Sequence, residues 1–494
     1  MSIPSQHPHL RLCLVALTSF VAAPHAQATI FTVGSGQTFA TPERIVWSKI
    51  HPGDTVLIDP GTYPSLLGTG NSMAVDSVVG TAAKPITVRG SDAANPPKLD
   101  AGIVVAGGSQ YVQIGDLDVS RDAKTESYGA VVVQGKSAHI VLSGLKVHDS
   151  FVGIEFVAAG LGNEVLQSQV YGNVQHGITA GPPDASFVPD ANHRSFITDN
   201  AVHDNGAHGI EITGPDWAVE HNRLSNNGGS VHGTSGIHLY SPSGVSGTYG
   251  CSENLVSYNF VTGQRDVDGT DGNGIQIDDF CDDNEVSFNV VWANAGAGIS
   301  VLDGKGNVVR ANTSYSNATD LGRAKKLPGV FRGEIILGSM ADLCANPFVP
   351  ASECHVAAGR SSGNVVANNI MVSGQSAVPG LFVSDDAVRR NKNVIDQNMY
   401  DNLGSGRGVE LSWDAAAYDT ETSIDAITGQ ASRGGGSLVG KPAFLDAANP
   451  TGGGLELSAK PGADGSAALP AAVDMSGRQA EAGDSYFGAY YTAP

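Results

Sequence analysis

The chain has 494 residues, 63 of them glycine, and carries a formal charge of −21. That acidic balance, with no Lys/Arg stripe to offset it, excludes nucleic acid or another polyanion as a general partner. No run after residue 28 reaches the roughly 18 apolar residues of a membrane span, so no span is expected. Residues 1–28 read as a secretory signal peptide. Arg11 supplies the positive start, Leu12 to Ala23 the apolar run, and Ala26-Gln27-Ala28 a small-residue cleavage pattern. The mature chain is therefore expected to be secreted, to the periplasm or the outside, and to act as a monomer.

Strand phrases open at Phe31-Thr32-Val33, Thr55-Val56-Leu57-Ile58 and Ile86-Thr87-Val88. A stricter repeat follows. Gly-Ile-X-apolar recurs at 153–156, 177–180, 209–212, 236–239, 274–277 and 298–301. Between these lies Asn-X-Val-X-X-Asn, whose second Asn falls at 200, 222, 259, 289, 312, 369 and 398. The tightest spacings, 22 and 23 residues, are solenoid periods. A unit so short, with period-2 apolar alternation and turn residues, holds three short strands and three turns. The expected fold is an all-β, single-stranded, right-handed parallel β-helix over 29–403, including the opening coils. Residues 404–494 lose the period and read as an irregular C-terminal β cap.

Cys251-Ser-Glu-Asn and Cys281-Asp-Asp-Asn occupy the same place in consecutive coils. Stacked strands lie about 4.8 Å apart, inside the span a disulfide tolerates, so Cys251–Cys281 is an expected bridge. Cys344 and Cys354 would close a small loop within one insertion.

Gly53 to Tyr63 (GDTVLIDPGTY) and Gly80 to Ser91 (GTAAKPITVRGS) resemble the N-terminal coils of the pectate-lyase-like superfamily, most nearly its chondroitinase-B and alginate-lyase group. The resemblance implies polysaccharide lyases, glycoside hydrolases or epimerases. It also implies that the Asn ladder is scaffold and that the Gly-Ile strand opens each coil on the face that carries active sites. The chain lacks the Asp-Pro-His-Asp signature of alginate epimerases and the paired Asp and Gly-His-Gly set of polygalacturonases, so no catalytic residue carries over.

Insertions support the same face. Ordinary coils take 9 residues from ladder Asn to Gly, but Asn222 to Gly236 takes 14, Asn259 to Gly274 takes 15 and Asn312 to Gly333 takes 21. Loops at both ends of one strand would wall a groove, and function concentrates on such loops. With each Ile inward, the next residue points out. This gives Glu155, Thr179, Glu211, His238, Gln276 and Ser300, then Tyr240 and Asp278 two residues on. His238, Tyr240, Glu211, Asp278 and Asp271 are the candidate catalytic residues. Gln276, His208, Arg265, Lys325 and Arg332 are candidates for substrate binding. Asp271, Asp278 and Asp279 are candidate ligands for Ca²⁺.

Two mechanisms fit an extracellular polysaccharide. β-Elimination on a uronate polymer ranks first, with His238 or Tyr240 moving the proton and an Arg or cation neutralising the carboxylate. Hydrolysis by Glu211 paired with Asp278 or Asp271 ranks second, and C5 epimerisation third. A non-catalytic glycan-binding helix would need an aromatic-lined groove, and the outward list holds one aromatic residue.

Overall fold

The computed structural model describes residues 28–490 except 125–126, 188–192, 242–249, 268, 270, 321–331, 345–358, 390–392, 404–407, 412–416, 419–436, 451–453, 459–473 and 480–486. Three sheets of thirteen strands run along this chain. Each coil gives one strand to each sheet, as with Ile210–Ile212, Trp217–Glu220 and Arg223–Ser225. Among the described strands pairing is parallel, except where Ala417–Tyr418 pairs antiparallel with Val409–Leu411. The result is an all-β right-handed parallel β-helix. The opening segment is already coiled: Ile30–Val33 pairs with Thr55–Ile58, which pairs with Ile86–Gly90.

The core is a set of identical stacks. Ile178, Ile210, Ile237, Ile275, Ile299 and Ile335 sit in register and are fully buried. Each coil thus buries its apolar face only against its neighbours.

The turns explain the asparagines. Each of the three turns sets a residue in the left-handed region immediately before a buried amide. Before the expected ladder these are Asp199, His221, Tyr258 and Phe288, with φ of 57–58°. Left-handed backbone at a non-glycine residue costs of the order of 1–3 kcal/mol, and the amide satisfies the groups that the tight turn exposes. Asn222, for example, donates to Ile197 O at 2.8 Å and to Asn259 Oδ1 at 3.0 Å. The expected ladder runs unbroken from Asn200 to Asn398. Two further ladders accompany it. The first Asn of the repeated phrase forms one, through Asn254, Asn284, Asn307, Asn364 and Asn393. The other runs through Asn173, Asn205, Asn227, Gln264, Asn294 and Asn317.

This last ladder ends on a carboxylate, and the register there differs from the sequence reading. Ile335 pairs with Ile299, so Glu334, not Gly333, occupies the Gly position of its coil. Glu334 is fully buried and accepts from Asn317 N, Asn317 Nδ2 and Ser314 Oγ at 2.7–2.9 Å. Burial outweighs these donors and raises its carboxyl from 4.5 to about 7. A folded-state pKa above the unfolded one gives stability present below about 4.5 and lost as pH rises through 7. Melting temperatures measured from pH 4 to 8 should therefore fall more steeply in the parent chain than in Glu334→Gln. Identical slopes would refute this account of Glu334.

Cys251 and Cys281 are bonded with Cα atoms 4.8 Å apart, joining adjacent coils as expected. Cys344 is also disulfide-bonded, while Cys354 lies outside the described residues, as do residues 1–27 of the expected signal peptide. Described parts of the C-terminal segment pack along the third sheet rather than only over the end. Leu455, Ala489 and Tyr490 cover Val290, Phe260 and Trp292, and Leu457 and Phe487 cover Ile370 and Val372. Apolar side chains on the outer face of that sheet require this cover.

Candidate active site

On the first sheet, Thr179, Glu211, His238, Gln276 and Ser300 stand in one register line. Their inward neighbours Ile210, Ile212, Ile237, Leu239, Ile275 and Ile277 are fully buried, which forces the intervening side chains outward. The sequence pattern therefore places the line correctly.

His238 is the hub. Its Nε2 lies 3.3 Å from Asp278 Oδ2 and its Nδ1 3.7 Å from Glu211 Oε1. Rings stack along it: His176 on His208 at 5.2 Å, His208 on His238 at 4.2 Å, and His238 on Tyr240 at 5.5 Å. With only 6% of its surface exposed, His238 is not the open surface residue its outward position suggests. Loops and stacked rings bury it. Burial works against its charge, but Asp278 and Glu211 prevail and push the imidazole up to about 9. It is an imidazolium at neutral pH, and so a proton donor or fixed cation rather than a resting base.

The other histidines stay neutral. Burial takes His208 well below 6.5 and lowers His176 too. The Ser235 amide donates to His208 Nδ1 at 2.9 Å, so the ring proton sits on Nε2, facing Glu211 Oε1 at 3.8 Å. His176 Nε2 lies 3.8 Å from the second Glu211 oxygen. Burial alone would raise Glu211, but the charged His238 beside it prevails and holds the carboxyl at about 2.

Asp271 behaves in the opposite way. Burial first, then Asp278 and Asp266, push it up to about 7. Asn273 Nδ2 donates to its Oδ1 at 3.0 Å and to Gln276 Oε1 at 2.9 Å. Gln276 Nε2 in turn donates to Asp278 Oδ2 at 3.3 Å. One amide chain thus ties Asp271 to Asp278. Asp271 and Glu211, whose surroundings drive their pKa values in opposite directions, are the raw material of acid and base roles.

Among the described residues, the group whose ligand atoms come within 4.8 Å of one another is His176, His208 and Glu211. The tautomer fixed by Ser235 leaves His208 Nε2 a donor, so it offers no lone pair to a cation. The expected Ca²⁺ ligands do not form such a group. Both Asp278 oxygens already accept hydrogen bonds, from the Asp279 amide and from His238 and Gln276.

A family profile described as a right-handed beta helix region matches residues 78–260 and 192–321. The A-module of a mannuronan C-5 epimerase from Azotobacter vinelandii aligns at 13% identity and a TM-score of 0.50, over 79% of this chain and 91% of that one. An alginate lyase from Paenibacillus aligns at 16% identity and a TM-score of 0.41, over 59% and 96%. A mannuronic-acid-specific family 6 polysaccharide lyase from human gut microbiota aligns at 13% and 0.43, over 79% and 77%. No curated protein sequence matches. The chain is a right-handed parallel β-helix, and residues 78–321 match the profile of that repeat.

The β-helix brings together Glu211, His238, Tyr240, Gln276, Asp278 and Asp271. Gln276 is 4% exposed and spends its amide on Ser235 Oγ, Asn273 and Asp278, and His208 is equally enclosed. Both are hydrogen-bonded to neighbouring groups of the site. Arg332 donates to Glu410 at 2.8 Å and to the Ala377 carbonyl, so it braces later coils instead of roofing the groove. Arg265 is exposed in the segment leading to Asn273–Ile277, and Lys325 lies outside the described residues. His176 was missed. Its signal was present: His-Gly-Ile occurs at 176–178 and again at 208–210, placing two imidazoles one above the other.

Proposed function

We propose that this β-helix is an exported polysaccharide-active enzyme that cleaves glycosidic bonds by hydrolysis in the groove over Glu211, His238 and Asp278. The observation that carries the reading is three carboxylates, Glu211, Asp278 and Asp271, gathered around one imidazolium. Among the described residues, no Lys or Arg is bonded to Glu211, His238 or Asp278. A floor with surplus negative charge stabilises the positive oxocarbenium character of glycoside cleavage. It opposes the extra negative charge that forms when a uronate loses its α-proton. In this reading Asp271 donates the proton to the leaving oxygen. Asp278 orients water, and Glu211 stabilises the developing positive charge. His238 stands between Glu211 and Asp278 and keeps Glu211 ionised.

One observation favours elimination as the second reading. Tyr240, whose phenol burial keeps protonated, stacks on His238 and is placed to protonate a leaving oxygen. Asp271 would then be the base, and a cation from solution would have to neutralise the uronate.

The assay is a panel of neutral and uronate polysaccharides, with and without added Ca²⁺, read for reducing ends and for ultraviolet-absorbing unsaturated ends. Hydrolysis predicts reducing ends alone. With Asp271 as the acid, kcat/KM should fall as pH rises through about 7. Unsaturated ends, with activity rising through the same pH, would transfer the site to elimination. Inverted C5 centres without chain breakage would make it an epimerase, and binding without product would remove the catalytic reading.

A further inference from the structure

A second concave site lies on a different face. The outer side of the third sheet, at its C-terminal coils, and the returning C-terminal segment enclose a pocket of about 540 Å³. That volume is within the usual range of small-ligand sites, about 300–1,000 Å³. One wall is a register line, Tyr315, Val372 and Asp401, taken from three successive coils. The turns after these strands add Ser316, Ser373, Gly374 and Leu403. Lys441, Pro442, Ala443, Phe444 and Ala447 form the opposite wall. Phe444 packs edge-on against Tyr315, with ring centroids 5.8 Å apart, and so holds the two walls together.

Two details point to a ligand rather than a packing gap. Ser373 is 1% exposed, yet its Oγ has no hydrogen-bond partner among the described residues. A buried hydroxyl left unpaired costs about 1–3 kcal/mol, a cost that a bound hydroxyl would recover. Gly374 also admits no side chain, since a Cβ there would come within 2.9 Å of Ser316 Oγ. The lining alternates apolar surface from Val372, Leu403, Pro442 and Phe444 with hydroxyls and one charge of each sign, Asp401 and Lys441. A sugar ring presents the matching surface: an apolar face, rimmed by hydroxyls that both donate and accept. The balanced charges suit a neutral sugar.

We propose that this pocket is a secondary glycan-binding site that holds one or two neutral sugar residues of the polysaccharide away from the catalytic groove. It shares no residue with the His238 site. The ligand class rests on the polysaccharide reading above, but the test does not need turnover.

The full chain carrying Asp271→Asn would be titrated calorimetrically with cellohexaose, mannohexaose, xylohexaose and a mannuronate hexamer. The same titration would be repeated with Ala443→Trp added, which fills the pocket from its exposed wall, and with Ser373→Ala added, which removes only the hydroxyl. Melting curves confirm that each variant folds. The expected result is one neutral hexasaccharide site lost in Ala443→Trp and weakened about tenfold in Ser373→Ala. An Ala443→Trp isotherm that matches its parent, with any number of sites or none, overturns the proposal. If the catalytic reading is the one that fails, product accumulates in the Asp271→Asn titration while the Ala443→Trp comparison still decides the pocket.

Discussion

Asp271→Asn is expected to lower kcat/KM by about 10²–10⁴-fold, the usual contribution of a positioned acid or base. The melting temperature should stay the same or rise. The change removes a carboxyl that burial, Asp278 and Asp266 hold at about 7 against an ordinary 3.8. Such a group takes stability away as pH climbs through 7, so its neutral replacement is favoured above that pH. The pH limb near 7 should vanish with the activity. His238→Ala is expected to differ. It also abolishes turnover, but it leaves Glu211 and Asp278 without their common cation in a largely enclosed site, at a cost of about 1–3 kcal/mol. Full activity in Asp271→Asn, with an unchanged pH limb, would remove Asp271 from the mechanism.

Asn289→Ala is expected to be the most destabilising single change in the scaffold while leaving the chemistry intact at low temperature. Asn289 is fully buried. It donates to Val256 O, Ser287 O and Asn312 Oδ1, and its own Oδ1 accepts from Asn259 N and Nδ2, all at 2.9–3.1 Å. Truncation strands several buried polar groups at once, at about 1–3 kcal/mol each before relaxation, so a net loss of about 3–5 kcal/mol follows. Equilibrium urea unfolding measures it, and a loss below about 1 kcal/mol would mean that the neighbouring amides re-pair across the gap. The left-handed Phe288 just before it, with φ 57°, loses its compensating partner in the same step.

How much of this was legible depended on distance along the chain. The Gly-Ile phrase, the Asn spacing and the Cys251 and Cys281 positions are local and repeat every coil, so coil, sheet and disulfide register followed from counting. Glu211, His238, Gln276 and Asp278 followed from alternation, because an inward Ile leaves its neighbour no other direction. His176 was legible in principle from the doubled His-Gly-Ile. Register failed at Gly333, where a long insertion hides the fact that Glu334 fills the glycine position.

The sequence by itself thus determined the solenoid, its period and the line of outward residues, since these depend on which side chains are apolar and how often they recur. Only the tertiary structure decided the protonation of the site. His238 became a cation because Glu211 and Asp278, 27 and 40 positions away in the chain, meet it across neighbouring coils, and Asp271 became a near-neutral acid because folding buries it beside Asp278 and Asp266. Arg332 shows the same limit. Its charge suggested a substrate contact, and folding committed it to Glu410, 78 residues away.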